Sequence, residues 1–234
     1  MKLGKAAGPD EVPVEAWKVL GDCGVNWQTQ FFNKVTIEGK IPDDWRDSII
    51  VPIFKQKGDA SECSNYRGIK LISHKMKIYE RLVDLRLREM VTTSQEQWGI
   101  IPERSTTDAI FVACQVMEKY REKRKPCYMA FLDLEKAYDR LPLAVLWNAF
   151  RGRGVSERLI LVIKDMHERS KAAVRTPHWM TKKMDITVGV HQGLALGPFL
   201  FVLTLACIVN HLEEGSFRTI LYADGIALIA DSRE

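Results

Sequence analysis

The residues best placed to do chemistry are two aspartates, each at the end of an apolar run of strand length. Phe131-Leu132-Asp133-Leu134-Glu135-Lys136-Ala137-Tyr138-Asp139-Arg140 changes from strand period to helix period just after Asp133, which puts that acid at a strand end facing a cleft. A carboxylate in such a place is either a turn or helix-capping acid or a ligand for a hard metal. Thr219 to Tyr222 and Ile226 to Ile229 are two further strand-like runs, joined through Ala223-Asp224-Gly225 as a hairpin with Asp224 at its tip. Two acids presented by separate strand ends can share a pair of Mg²⁺ ions, which align an attacking hydroxyl and stabilise the charge of a phosphoryl transfer. Asp-Gly is equally a favoured hairpin turn, so the dipeptide alone decides nothing.

The elements that must hold these acids can be read from period and punctuation. Cys127 to Leu132 reads as a buried strand, and Pro142 suits the first turn of a helix running to Gly152 and Gly154. Gly8-Pro9-Asp10 is a turn before a helical segment reaching Leu20. Trp27, Phe31 and Val35 then mark the core stripe of a helix stopped by Gly39. Ser48 to Lys55, with Pro52 placing it at an edge or bulge, pairs with Arg67 to Ile72 in a small sheet. Ser73 caps a helix with Ile78, Leu82 and Leu85 on one face. A hydroxyl among residues 105–107 caps the next, whose Ile110, Cys114 and Met117 mark a buried stripe. Ser156 opens a helix with Leu159, Ile163 and Met166 inward, and Ala172 to Thr176 and Met184 to Gly189 form a hairpin. Helices and a first sheet, then a few strands packed on helices, make an α+β pattern.

Composition narrows the class. The chain of 234 residues, 46% hydrophobic and 27% charged, can bury a real core, and its formal charge of +4 permits a polyanionic partner without requiring one. Lys119, Arg121, Lys123, Arg124 and Lys125 crowd one helix end and its loop, while Lys171, Arg175, Lys182 and Lys183 flank the later hairpin. Each cluster is either a solvated face or a nucleic-acid phosphate site. Cys23, Cys63, Cys114, Cys127 and Cys207 lack metal-ligand spacing and read as reduced core residues of an intracellular protein. The first residues hold no apolar signal segment. The uncharged run from Leu194 to Val209, with Pro198 in its first turn, is short for a bilayer and suits a core helix, so no membrane role is expected.

FLDLEKAYDR, GVHQGLALGPFLF and LYADG, in that order and separation, resemble the three palm motifs of a reverse transcriptase. GKAAGPDEVPVEAWK, the segment from IPDDWRDSIIVPIFKQKGD to SNYRGIKLIS, and PERSTTDAI resemble the flanking blocks of the LINE-type, non-LTR retrotransposon branch, RTE/BovB-like or related. The resemblance covers nearly the whole chain. It implies the fingers and palm of a right-hand polymerase, with residues 1–125 mainly fingers, 126–234 palm, and a small antiparallel palm sheet packed on helices. It also implies RNA-directed DNA synthesis on an RNA template and DNA primer, with deoxynucleoside triphosphates and two Mg²⁺ ions. By resemblance, Asp133 bridges both metals, Leu134 adds its backbone carbonyl, Asp224 is the first acid of the hairpin pair, and Tyr138 is the aromatic gate against a ribose 2′-hydroxyl. Gln192 and Gly193 would pack beside the incoming nucleotide, and Lys55 and Arg67 would hold its triphosphate. Nuclear action follows for a family that copies onto chromosomal DNA.

The departures bear on activity. The family hairpin carries two adjacent aspartates, and here the second is replaced by Gly225; Glu103 replaces a usual glycine, Ile100 a usual phenylalanine, Leu194 a usual small or polar residue and Gly197 a usual serine, and Ala206 stands where an aspartate is common. The chain stops just after the third motif, so the thumb, like the family's upstream endonuclease, is expected to be missing. An impaired or inactive polymerase is therefore expected, with a non-catalytic RNA or RNA-DNA binding remnant as the alternative.

Overall fold

The structure is a computed structural model that describes residues 3–134, 137–138, 140–190, 195–213 and 218–231. In chain order the elements are α1 (Val14–Val19), α2 (Gly21–Glu38), β1 (Asp47–Phe54), β2 (Tyr66–Leu71), α3 (His74–Met90), α4 (Thr106–Glu122), β3 (Tyr128–Asp133) and α5 (Leu143–Gly152). There follow α6 (Glu157–His167), β4 (Ser170–Val174), β5 (Met184–Ile186), α7 (Leu196–Glu213), β6 (Arg218–Tyr222) and β7 (Gly225–Ala230). Local chemistry sets several of the boundaries. Gly39 ends α2 at φ 68, the Ser73 hydroxyl accepts from Met76 N–H at the start of α3, and Ser105 with Asp108 forms a reciprocal capping box on α4.

Two sheets result, one four-stranded in the order β2-β1-β4-β5 and one three-stranded and antiparallel in the order β3-β7-β6. Pro52 marks an edge only locally: β1 lies between β2 and β4, but β4 pairs only with residues 47–50, so at Pro52, opposite Gly68, the strand has β2 alone as a partner. Nor is β3 buried throughout. It is an outer strand of its sheet, with Phe131 75% exposed, and the buried positions lie on the central β7, at Ile226, Ala227 and Ile229, and on β6, at Thr219, Ile220 and Leu221. An apolar run alone does not distinguish a central strand from an edge.

The main core is built around α7, whose Leu196, Phe199 to Ala206 and Val209 are buried, the helix packing against α3 and α5. Among the described residues no helix is long and apolar enough to cross a membrane. Two helical stripes differ from expectation. On α3 the core face is Met76, Tyr79, Val83 and Leu87, while Leu82 and Leu85 are exposed, because Glu80 and Asp84 are also buried there and hide the apolar period. On α4 the inward face is Ala109, Val112, Ala113, Val116 and Tyr120; Ile110, Cys114 and Met117 face out, since this helix is apolar on more than one side. Val35 is buried as read, Phe31 is partly buried, and Trp27 is exposed, its ring stacked on Phe31 at 5.3 Å. The cysteines are free, but Cys23, Cys63 and Cys114 are exposed and so are not core residues, while Cys127 and Cys207 are half-buried and Cys127 packs against the Ile220, Ala227 and Ile229 cluster.

Candidate functional site

Asp133 and Asp224 arrive at the same end of the same sheet. Asp133, the last residue of β3, lies opposite Gly225 in the β3-β7 ladder, and the next backbone amide, Leu134 N–H, donates to Asp224 O at 3.4 Å. Asp133 is exposed and Asp224 half-buried, so both carboxylates can meet solvent ions. The hairpin turn is not Asp-Gly. Tyr222 pairs with Gly225, leaving Ala223-Asp224 as the two-residue loop, with Ala223 at φ 53 where glycine is the usual occupant. Gly225 is the first residue of β7 and its φ is not in the left-handed region; a Cβ added there would first meet Tyr222 O at 3.3 Å, a contact relieved by a small shift.

A segment outside the quoted motifs braces this turn. Trp98 N–H donates to Leu221 O at 2.7 Å and Leu221 N–H to Glu96 O at 2.9 Å, so residues 96–98 run beside β6. Gln97 is fully buried, and its Oε1 accepts from Ala223 N–H at 3.0 Å and from Gly99 N–H at 2.8 Å. Gly99 lies so close that a Cβ there would sit 2.3 Å from Ala223 N. Sequence reasoning missed Gln97; the only signal was the glycine two residues on.

Tyr138 is half-buried, its ring stacked on Phe201 of α7 at 4.7 Å, and its carbonyl accepts from Val190 N–H at 2.9 Å. Burial first, and then the nearby Asp224 carboxylate, hold its hydroxyl pKa above the usual value. Gln192 and Gly193 lie outside the described residues. Lys55 and Arg67 are exposed near the loop end of the β1-β2 hairpin, with Lys55 Nζ donating to Ser64 O at 3.0 Å. Of the basic cluster, Lys119, Lys123 and Lys125 line one small cavity; Arg121 and Arg124 do not. In the later cluster Lys183 pairs with Asp47 at 2.7 Å and Lys171 with Asp185 at 4.0 Å, as in an ordinary solvated face.

Whether these residues suit the metal implied by the family turns on their donors. Two carboxylates and a backbone carbonyl are hard oxygens of the kind one Mg²⁺ takes together with water. Among the described residues no group of three or more His, Cys, Asp or Glu side chains is arranged to hold a metal.

A three-stranded antiparallel sheet packed on helices, beside a second sheet, is a polymerase-type fold. Similar solved structures include telomerase from Candida tropicalis in complex with a fragment of telomeric RNA, with a TM-score of 0.58 at 14% identity over 90% of this chain and 40% of that one. The C-terminally truncated apo form of telomerase from the same organism has a TM-score of 0.55 at 15% identity, covering 90% of this chain and 49% of that one. The chain belongs to the reverse transcriptase (RNA-dependent DNA polymerase) family, whose profile matches residues 54–234. Its relatives are non-LTR retrotransposon proteins, as the motifs led us to expect. The Pol polyprotein of type-1 retrotransposable element R2 from Nasonia vitripennis is 24% identical over 237 residues, covering 98% of this chain and 23% of the relative. The RNA-directed DNA polymerase from mobile element jockey of Drosophila melanogaster is 26% identical over 243 residues, covering 100% of this chain and 26% of the relative. The chain thus spans about a quarter of the length of these relatives.

Proposed function

We propose that the chain is the fingers and palm of an RNA-directed DNA polymerase of a LINE-type retrotransposon, RTE/BovB-like or related, in which nucleotidyl transfer is impaired. Residues 1–125 are mainly fingers and 126–234 palm, with β4 and β5 reaching back into the finger sheet. The observation that carries this reading is the rung that sets Asp133 opposite Gly225, which brings Asp133 beside Asp224.

In this reading an RNA template, a DNA primer and a deoxynucleoside triphosphate meet at the Asp133 end of the sheet. Asp133, Asp224 and the Leu134 carbonyl would hold Mg²⁺, which when bound polarises phosphoryl oxygens and favours the alkoxide form of an attacking hydroxyl. Lys55 and Arg67 supply positive charge to the triphosphate, with arginine offering a two-pronged fork. Tyr138, braced by Phe201, presents a rigid ring against a ribose 2′-hydroxyl, and Gln192 and Gly193 flank the incoming nucleotide. Copying onto chromosomal DNA places the activity in the nucleus.

Gly225 is the reason for impairment. Two carboxylates against two divalent cations leave charge uncompensated, and a second ion binds weakly or out of place. The same observation favours the second reading, a chain that still binds RNA or RNA-DNA duplex without catalysis. Primer extension on an RNA template with Mg²⁺ or Mn²⁺ separates them. We expect little product from the chain itself, a gain in Gly225→Asp, and none in Gly225→Asp combined with Asp133→Asn. Robust synthesis that survives Asp133→Asn would refute the assignment of the acids.

A further inference from the structure

At the end of the three-stranded sheet remote from the acids lies a cavity of about 140 Å³ lined by Lys119, Lys123, Lys125, Arg218, Tyr120 and Asp231, with Val116 at its wall. From this arrangement we infer that the cavity is a binding site for a backbone phosphate of an RNA strand. The inference rests on the polymerase reading for its choice of nucleic acid, but it uses none of the residues of the proposed metal site.

The cations are gathered by the way α4 ends. Lys125 N–H donates to Tyr120 O at 3.0 Å and Arg124 N–H to Arg121 O at 3.0 Å, the paired bonds of a Schellman turn, with Arg124 in the left-handed position at φ 51. This turn folds the chain back so that Lys123, on the same helix face as Lys119, meets Lys125 around one opening. Arg218 enters from the start of β6, which lies at the same end of the sheet as Tyr128 and Ala230. All four cations are exposed, and among the described residues none of them forms an ion pair. The one acid of the cavity, Asp231, accepts a hydrogen bond from the Tyr120 hydroxyl. Four cations against one carboxylate leave the opening net positive, a setting for a compact anion with several acceptor oxygens, and Arg218 can grip two of them.

The position suggests which anion. Tyr128 and Asp133 are five strand steps apart, about 17 Å at ~3.4 Å per residue. A B-form duplex rises ~3.4 Å per nucleotide along its axis, so a duplex lying along the sheet would cover that separation in roughly five steps. An RNA template that is copied at the acids can therefore also reach the cavity.

The test is the salt dependence of binding of a labelled oligouridylate to the full chain, compared with Lys123→Ala combined with Lys125→Ala, and separately with Arg218→Gln. Because these side chains are exposed, both variants should fold, and a circular-dichroism melt checks that they do. We expect weaker binding and a plot of log K against log salt that is shallower by about 0.7 for each phosphate that the variant no longer neutralises. An unchanged slope in both variants, with the parent chain binding RNA, overturns this inference and leaves the proposed function standing. A parent chain that binds no RNA even at low salt overturns both. Loss of inorganic phosphate binding without any change in RNA binding marks a free-anion site and overturns the RNA assignment.

Discussion

Glu80 on α3 is buried beneath the start of α7, where Ala195 N–H donates to its carboxyl, and its Oε2 finds no partner among the described residues. Burial pushes its pKa up to about 8, against the opposing pull of Lys70 and Lys77, and burial lowers Lys70 to about 8 in turn. These two groups titrate as a pair, and the signs work in opposite directions. A carboxyl with a raised folded-state pKa adds stability in full below its ordinary 4.5, and this is lost as the pH rises through about 8. The depressed lysine adds stability in full above 10.5, and this is lost as the pH falls through about 8. The pair should therefore contribute least near pH 8. Glu80→Gln keeps the shape and removes the acidic arm, so its melting temperature should fall less than that of the parent between roughly pH 5 and pH 8. Parallel melting curves would show that the carboxyl is hydrated rather than buried. Glu103 shows a different kind of strain. It sits at φ 65, a conformation costing about 1–2 kcal/mol with a side chain.

Residues 94–99 form an element that is neither helix nor strand, yet they fix the geometry of the β6-β7 turn. Gln97 satisfies two amides at once, and one of them belongs to Ala223, whose left-handed backbone needs outside support. Gln97→Leu leaves both donors buried and unpaired, which should cost ~2–5 kcal/mol by urea unfolding and remove the hydrogen-exchange protection of Ala223. Gln97→Glu retains the acceptor and should keep that protection. Equal exchange at Ala223 in both variants would mean that the turn holds itself. The caps were legible in the sequence because Ser73 and Ser105 act within a turn of their own position. The Gln97 contact was not legible, because its partner lies 126 residues further on and only the folded chain brings them together. The stripe on α3 was misread for a physical reason as well: its buried face carries two acids.

The parts of the molecule are tied together by Arg46. Its Nη2 meets Asp165 Oδ1 and Oδ2 at 2.9 Å, Nη1 reaches Asp165 O at 2.8 Å and Glu168 O at 2.9 Å, and Nε reaches Asp43 Oδ1 at 3.1 Å. Asp165 also accepts from Ile41 N–H at 2.7 Å, so one ion pair fastens the approach to β1 onto α6. Arg46 is 7% exposed, and removing it strands a shielded carboxylate. Arg46→Ala should lower unfolding stability by ~3–5 kcal/mol, with Asp165→Ala similar and the double variant far from additive. Additive losses in a urea series would contradict a shared network. At this scale the sequence was most informative where several motifs stood in register, which is why the acids could be placed before any coordinates. Arg46 carries no such mark in the sequence, being one of 34 lysines and arginines. The outer strand β3 leaves one more mark on the molecule. With no further strand beyond it among the described residues, and with Phe131 and Leu132 open to solvent, it offers a ready template to another extended chain. Concentrated preparations will tend to self-associate edge to edge there, and a lysine or proline on that margin would be the first remedy for anyone purifying the protein.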